Sequence, residues 1–266
     1  MKKNEDFIVV TGAAKGLGLE ISKQAIESGY NVIGIGRSKS KEFSSFPENQ
    51  RHFIEFDLYE TGKIPKLVTE IVTMTECAPF ALVNNAATGM DGLLATQHAS
   101  DINRILTLNL EAPITLTKYL VRKMIKQRRG RIVNISSIIA QTGFSGLSVY
   151  GATKHAVSSL TENLRIEFER YGIKVSEINP WFTETPILDA EAVTTGAKSQ
   201  LDREFVNQKT KVYPVEKVVS SVWSAYDSSR IHHPVGFEAK FASFFMRHLP
   251  SLIRGLSKKL FKDSFI

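Results

Sequence analysis

FIVVTGAAKGLG, residues 7–18, is the stretch that decides the fold. Apolar and β-branched residues typical of a buried strand run directly into three glycines spaced G-x-x-x-G-x-G, and a helical pattern follows to about Ser28. Glycine permits a positive φ and a close backbone approach, and the first turn of a helix offers free N–H groups to a phosphate. The stretch predicts a strand–turn–helix unit. Phosphate binding and an ordinary tight turn both remain open, because the spacing differs from the common G-x-G-x-x-G pattern.

Strand-like apolar segments alternate with helix-like segments along most of the chain. Pro113, inside a long helical region, predicts a break or a new first turn. Apolar strands separated by helices indicate one α/β domain over residues 1–266, with a Rossmann-like, doubly wound parallel sheet and helices on both faces. Beyond residues 7–11, strands are predicted at 31–36, 51–58, 80–85, 131–137 and 173–180, and helices at 63–76, 98–128 and 149–170.

The composition limits the class of protein. The 266 residues are 42% hydrophobic, which is typical of a globular protein and too high for a disordered chain. A single cysteine, Cys77, excludes an internal disulfide framework and a multi-cysteine metal site, and we predict no metal. We see no secretory signal and no run of about 18 uncharged apolar residues. We therefore expect a cytoplasmic protein.

The formal net charge of +7 is concentrated in two segments. Residues 118–131 contain 7 basic and no acidic residues, and residues 240–262 contain 6 basic and no acidic residues. The rest of the chain has an excess of acidic residues, which disfavours a polycation that coats nucleic acid. We interpret residues 118–131 as a solvated helix end, where cations complement the helix dipole.

The C-terminal segment 240–262 has an amphipathic pattern interrupted by Pro250. Its basic residues lie largely off the apolar stripe, so contact with an anionic membrane surface is one interpretation. Packing over a substrate pocket or a neighbouring subunit is the other. The stripe consists of Phe241, Phe245, Leu249, Leu252, Leu256 and Leu260.

Six motifs over residues 5–190 resemble, in order, the short-chain dehydrogenase/reductase family. The resemblance implies an oxidoreductase that interconverts a carbonyl and an alcohol by hydride transfer, and a homodimer or homotetramer. Two residues depart from the family pattern, because Ala87 and Trp181 replace glycines. The motifs are T-G-x-x-x-G-x-G at 11–18, N-N-A-A at 84–87, Asn109 in LNLEAP, Ser137, Y-x-x-x-K at 150–154 and NPWFTET at 179–185.

The catalytic roles that the resemblance implies fall on Ser137, Tyr150, Lys154 and Asn109. Tyr150 would be the general acid or base, Ser137 would bind the substrate oxygen, and Asn109 would support a water that links Lys154 to solvent. Lys154 would also bind the nicotinamide ribose. The residues alone place Tyr150 and Lys154 on one helical face, where a lysine cation is expected to lower the tyrosine pKa.

The cofactor expected from the resemblance is NADP(H) rather than NAD(H). An NAD site usually has an acidic residue at the end of the second strand, but this strand ends in Gly36 and Arg37. Lys15 and Arg37 suit a 2′-phosphate, although both could simply be solvated. The cofactor-binding residues implied are Thr11, Gly12, Lys15, Gly16, Leu17, Gly18, Arg37, Asp57, Leu58, Asn85, Ala86, Tyr150, Lys154, Pro180, Thr183 and Thr185.

The substrate is expected to be a small, apolar carbonyl compound or alcohol. By analogy with the family, Phe144, Leu147 and Trp181 would line its pocket, and the polar segment 186–213 would form a mobile lid. An ordinary surface excursion is the alternative for that segment. Alternative functions are a catalytically silent NADP-binding sensor or scaffold, and a peripheral membrane module.

Overall fold

The computed structural model describes residues 6–89, 92–141, 143–144, 146–185, 210–249, 251 and 255. Its strands form one parallel seven-stranded sheet in the order β3-β2-β1-β4-β5-β6-β7. The strands are β1 (Phe7–Thr11), β2 (Asn31–Gly36), β3 (Arg51–Glu55), β4 (Ala81–Asn84), β5 (Gly130–Ile135), β6 (Ile173–Pro180) and β7 (His232–Val235).

The connections between successive strands contain helices. A π-helical turn, Thr107–Glu111, separates α4 from α5, and Pro113, which has no backbone N–H to donate, lies in the first turn of α5. The α-helices are α1 (Gly16–Glu27), α2 (Lys41–Ser44), α3 (Ile64–Thr75), α4 (Ala99–Leu106), α5 (Ala112–Gln127), α6 (Ser148–Phe168), α7 (Val215–Asp227) and α8 (Phe237–His248).

Both faces of the sheet are buried, as the doubly wound fold requires. Ile8 and Val10 of β1 pack in the core beneath α1 and α7, whereas Val9 packs in the opposite core with α3 and α5. All three side chains are 0% exposed. Successive strand residues point to opposite faces, so a strand covered on both sides must be apolar throughout. This confirms the predicted α/β fold class.

The predicted strands and helices are present, with differences at their ends and with the 98–128 region divided into α4, a π-helical turn and α5. Helices α2 and α7 and strand β7 were not predicted. The strand predicted at 51–58 ends at Glu55, and the one predicted at 131–137 ends at Ile135, because the chain turns there into a cleft. The β7 sequence HHPV has no apolar run, and as an edge strand β7 pairs only with β6.

Part of two predicted segments lies outside the described residues. These parts are residues 186–209 of the expected lid, and Pro250, Leu252, Leu256 and Leu260 of the C-terminal stripe. Over the ranges that the structure describes, no helix combines the length and apolar character needed to cross a membrane.

Candidate active site

A cleft of about 900 Å³ opens at the carboxyl ends of the strands. The strand order reverses between β1 and β4, and such a switch point is where parallel α/β sheets bind ligands. The cleft runs from the glycine turn and the end of β2 to the start of α6. Predicted site residues that line it are Gly12, Lys15, Gly16, Leu17, Arg37, Asp57, Leu58, Asn85, Ala86, Ser137, Leu147, Tyr150, Lys154, Pro180, Trp181, Thr183 and Thr185.

The turn between β1 and α1 requires glycine for two different reasons. Gly12 has a φ of +67°, which side chains rarely adopt. Gly18 is packed so closely that a Cβ there would lie 2.3 Å from the Gly12 carbonyl oxygen. Helix α1 begins at Gly16 without a side-chain cap, so its first N–H groups are available at the cleft wall. This geometry suits a pyrophosphate.

Thr11 and Gly18 shape this end of the cleft from behind and do not line it. The Thr11 hydroxyl accepts hydrogen bonds from the N–H groups of Asn85 and Ala86, both at 2.9 Å. The Asn85 side chain donates to the Thr11 carbonyl oxygen at 2.9 Å. The sequence-based prediction assigned Thr11 and Gly18 to cofactor contact. Their positions instead indicate that they hold β1, α1 and the residues after β4 together.

Two exposed cations, Lys15 and Arg37, line the same end of the cleft. Within the described ranges, neither side chain forms a hydrogen bond or an ion pair. Arg104, which sequence analysis did not identify, also lines the cleft, as does the carboxylate of Glu42. Asp57 accepts a hydrogen bond from the backbone of the residue two positions later, at 3.0 Å. The cofactor end is therefore accessible and predominantly basic.

Ser137, Tyr150 and Lys154 meet at the other end of the cleft. Ser137 follows β5 and hydrogen-bonds with the Tyr150 side chain, which projects from the first turn of α6. Lys154 is 3% exposed, and its Nζ lies 5.5 Å from the Tyr150 ring centroid. The same Nζ donates to the Ile135 carbonyl oxygen at 3.0 Å. Ser136 is buried and donates to the Lys154 carbonyl oxygen, so Ser137 is the serine available to a substrate.

The pKa values of Tyr150 and Lys154 move in opposite directions. Burial raises the pKa of Tyr150 to about 12, and the hydrogen bond with Ser137 opposes the increase. Burial lowers the pKa of Lys154 to about 8, and the negative charge of Glu177 opposes the decrease. The expectation that Lys154 would lower the Tyr150 pKa was wrong for this state, because desolvation of the phenolate dominates. Tyr150 is therefore a protonated donor at neutral pH.

Asn109 lies in the π-helical turn, away from the main cleft. Its side chain accepts from the Thr88 N–H and donates to the Thr88 carbonyl oxygen, both at 2.9 Å. A separate cavity of about 20 Å³, large enough for one water molecule, is lined by Asn109, Lys154 and Asn84. The Oδ1 atom of Asn84 is buried without a protein hydrogen-bond partner. The arrangement suits the predicted water link, which stays a prediction.

The substrate end of the cleft has an apolar wall. Leu147 and Trp181 line it, together with Ile138 and Ile139, which sequence analysis missed. Phe144 does not line the cleft. It packs against the apolar cluster that the wall residues form with Ala239 and Ala242 of α8. The apolar segment after β5 is too short to show a periodicity from which the sequence could identify the residues that line the wall.

Trp181 and Ala87, which replace family glycines, both line the cleft. The Trp181 indole N–H donates to the Thr210 hydroxyl at 2.8 Å, and the ring packs against the apolar cluster shared with Tyr150. Ala87 does not have a positive φ, so its methyl group fits the backbone. Neither replacement disrupts the cleft.

The residues on either side of 186–209 contact each other through backbone hydrogen bonds. Thr183 bridges to Tyr213, and the Glu184 N–H donates to the Tyr213 carbonyl oxygen at 3.0 Å. The Tyr213 hydroxyl donates to the Glu238 carboxylate at 2.5 Å. Tyr213 thereby ties both ends of that segment to the start of α8.

Comparison with known families is decisive for the class of protein. The family model described as short chain dehydrogenase matches residues 6–195. The chain belongs to the short-chain dehydrogenase family. This confirms the family resemblance and its oxidoreductase class.

Two curated relatives of this short-chain dehydrogenase span most of its length. The mouse (Mus musculus) protein "Dehydrogenase/reductase SDR family member 7B" is 32% identical over 228 residues, covering 81% of this chain and 69% of the relative. The Aquifex aeolicus protein "3-oxoacyl-[acyl-carrier-protein] reductase FabG" is 29% identical over 236 residues, covering 86% of this chain and 95% of the relative.

Two solved structures share the fold. A short-chain dehydrogenase from Streptomyces avermitilis has a TM-score of 0.79 and 25% identity, with 97% of each chain covered. ElxO with NADP bound has a TM-score of 0.74 and 26% identity, covering 88% of this chain and 96% of that one.

Proposed function

We propose that this short-chain dehydrogenase is an NADP(H)-dependent oxidoreductase that interconverts a ketone or aldehyde with its alcohol. The observation that carries the proposal is one cleft with two complementary ends. A glycine turn and free helix N–H groups form one end, and Ser137, Tyr150 and Lys154 form the other. A dinucleotide can extend from the first end to the second, so that its nicotinamide meets the catalytic side chains.

NADP(H) fits the residues at the cofactor end better than NAD(H) does. Gly12 and Gly16, which line the cleft with positive φ values, allow the backbone to approach a pyrophosphate. Lys15 and Arg37 are exposed cations that can bind a 2′-phosphate. The structural relative ElxO, whose solved structure has NADP bound, supports the same cofactor.

The chain's own residues supply proton transfer and orientation, whereas the bound nicotinamide supplies or accepts the hydride. The Tyr150 hydroxyl donates a proton to the substrate oxygen during reduction and takes it back during oxidation. Ser137 donates a hydrogen bond to the same oxygen. The Lys154 ammonium stabilises the phenolate that Tyr150 leaves. Since the pKa of Lys154 is about 8, we expect reduction to decline as the pH rises through that value.

The wall formed by Ile138, Ile139, Leu147 and Trp181 favours a substrate with an apolar group beside its carbonyl. We therefore propose apolar ketones, aldehydes and acyl derivatives as the substrate class.

A Tyr150→Phe variant tests the proposal. We expect wild-type protein to oxidise NADPH with one or more members of a panel of apolar carbonyl compounds. The variant should lose about 10²- to 10⁴-fold in kcat, the usual contribution of a positioned acid, and still bind NADPH. Full activity in the variant would overturn the mechanism. NADPH binding with no turnover on any compound would favour a catalytically silent sensor.

The outer face of α8 supports a second role in membrane contact. Phe237, Phe241 and Phe244 are 73%, 47% and 58% exposed and share one helical face. Lys240 is also exposed, and residues 240–262 carry 6 basic and no acidic residues. The opposite face of α8, through Ala239 and Ala242, packs behind the substrate wall. We therefore propose an anionic lipid surface as the partner of this face.

Vesicle sedimentation separates the partners that could cover this aromatic face. We expect the full chain to bind vesicles containing phosphatidylserine and to lose that binding in a Phe241→Ser/Phe244→Ser variant. Vesicles of phosphatidylcholine alone are the charge control. If the wild type ignores both vesicle types and the variant converts an oligomer to a monomer, a second copy of the chain covers the face instead. A homodimer or homotetramer otherwise stays a prediction.

A further inference from the structure

A fully buried carboxylate, Glu177, lies beneath the catalytic end of the cleft. Its side chain is 0% exposed, on strand β6 between Asn134 of β5 and His232 of β7. An isolated carboxylate in a protein interior costs several kcal/mol, so it is retained only with hydrogen bonds and a counter-charge. The assigned roles of Ser137, Tyr150 and Lys154 give Glu177 no function.

The Glu177 carboxylate has a partner on each of three sides. One oxygen accepts from the Ser158 hydroxyl at 2.9 Å and lies 2.8 Å from Nδ1 of His232. The other accepts from the Asn179 side-chain amide at 2.8 Å. Nε2 of His232 lies 2.9 Å from the exposed carboxylate of Glu162. Because carboxylates face both ring nitrogens, both nitrogens can donate only from the imidazolium form of His232, which its raised pKa favours.

His232 is therefore the counter-charge beside the buried Glu177 carboxylate. Its hydrogen bond with Glu177 raises the pKa of His232 against the opposing effect of burial, and Glu162 raises it further. His233 and Arg230 are the other titratable groups beside it, and the pKa of His233 is lowered, mainly by burial. The pair lies at the open edge of the sheet, where β7 is in register with β6 at these two residues.

The hydrogen-bond partners of Glu177 lie next to the catalytic residues. Asn179 also donates to the backbone carbonyl of Ser137, at 3.4 Å. Ser158 lies one helical turn after Lys154 on α6. The carboxylate thus connects the strand end that presents Ser137 to the helix that presents Lys154.

The charge of Glu177 also acts on Lys154 directly. Lys154 is 3% exposed, and burial favours its neutral form. Its titratable neighbours are Tyr150, one turn earlier on α6, and Glu177 on β6. Tyr150 is neutral at physiological pH because its pKa is about 12. Glu177 is therefore the negative charge that opposes loss of the Lys154 proton.

We propose that Glu177 is a positioning residue whose carboxylate, held ionised by His232, keeps Lys154 protonated and Ser137 in place. The proposal rests on the function proposed above for Lys154 and Ser137. It also gives strand β7 a role, because His232, its first residue, pairs with the buried Glu177 carboxylate.

The decisive measurement is an NMR titration of the Lys154 ammonium in the cofactor-free full-length chain. Its signal is assigned by its disappearance in a Lys154→Met variant. We expect Glu177→Gln to lower the titration midpoint by about 1 pH unit, the lower end of the effect of a neighbouring opposite charge. Glu167→Gln, an equal charge change on the exposed side of α6, should leave it unchanged. An unchanged midpoint in Glu177→Gln would overturn the proposal.

Two further variants separate charge from structure. His232→Gln removes the counter-charge at a partly exposed position and should lower the Lys154 midpoint in the same direction, which keeps the test available if Glu177→Gln does not fold. Ser158→Ala removes one hydrogen bond but no charge, so its midpoint should match the wild type. If Ser158→Ala shifts the Lys154 midpoint as far as Glu177→Gln does, the loss of packing, and not the loss of charge, causes the shift.

A parallel pH profile of NADPH-dependent turnover connects the titration to function. The alkaline limb should move to lower pH in Glu177→Gln by the same amount as the Lys154 midpoint. A midpoint that shifts while the turnover profile stays in place would keep the electrostatic link and overturn the proposed role of Lys154. Failure of the Glu177 proposal can therefore be distinguished from failure of the proposed role of Lys154.

Discussion

The two ends of the cleft are built in different ways. The cofactor end comes mainly from eight consecutive residues, 11–18, and its cations Lys15 and Arg37 are exposed. The catalytic end is assembled from β5, α6, β6 and β7, and its cation Lys154 is buried. Exposed charges act by attracting a ligand, whereas a buried charge changes the proton chemistry of its neighbours. The comparison predicts that substitutions at the two ends affect different measurements.

The largest effect is expected for Lys154→Met at the catalytic end. The variant removes the ammonium from a buried position while keeping a side chain of similar length. We expect kcat to fall by about 10²- to 10⁴-fold, because Tyr150 loses the cation that stabilises its phenolate. Lys123→Met, at an exposed position of α5, is the control. If Lys154→Met and Lys123→Met had comparable kcat values, the buried lysine would have no special catalytic role.

Gly18→Ala tests whether the backbone itself forms the cofactor end. Its Cβ would lie 2.3 Å from the Gly12 carbonyl oxygen, so the turn must move. We expect a loss of about 1–3 kcal/mol in the free energy of unfolding and NADPH binding weakened more than tenfold in fluorescence titration. Gly62→Ala, where a Cβ meets nothing within 4 Å, should change neither. Normal NADPH affinity in Gly18→Ala would show that the close packing of the turn against α1 is dispensable for cofactor binding.

Arg37→Ala tests the charges of the cofactor end without disturbing its backbone. We expect NADPH affinity to fall by about tenfold, the lower end for a charge-assisted hydrogen bond, because the site is exposed and screened. NADH affinity should stay the same, and kcat at saturating NADPH should change little. Lys39→Ala is a control at a nearby exposed position. Equal weakening of NADPH and NADH binding would contradict recognition of the 2′-phosphate.

The smallest effect is expected for Trp181→Phe at the substrate wall. The variant keeps an aromatic ring but loses the hydrogen bond to Thr210, a net contribution of about 1 kcal/mol. We expect a change in KM of a few fold for the best carbonyl substrate and an unchanged affinity for NADPH. Trp223→Phe, in a different aromatic cluster, controls for the loss of an indole. A large fall in kcat instead would place Trp181 in the catalytic step.

The same comparison explains which site residues could be predicted. The glycines follow from a local backbone requirement, and the Tyr150–Lys154 spacing follows from helical geometry. Phe144 is not among the residues that line the cleft, and its packing against the cluster completed by Ala239 and Ala242 depends on α8, nearly a hundred residues later. Glu177 was missed, although an acidic residue inside the apolar strand IKVSEINP was a visible signal. His232, its counter-charge, lies in the strand that was not predicted.

The sequence by itself determined the doubly wound sheet, the glycine turn, the order of the family motifs and the serine, tyrosine and lysine at the catalytic end. These features depend on periodicity and short spacings, which survive in a one-dimensional pattern. Only the tertiary structure decided the direction of the Tyr150 pKa, the residues of the substrate wall and the Glu177–His232 pair. Burial and electrostatic interaction depend on distances between strands that are far apart along the chain, and no local pattern specifies them.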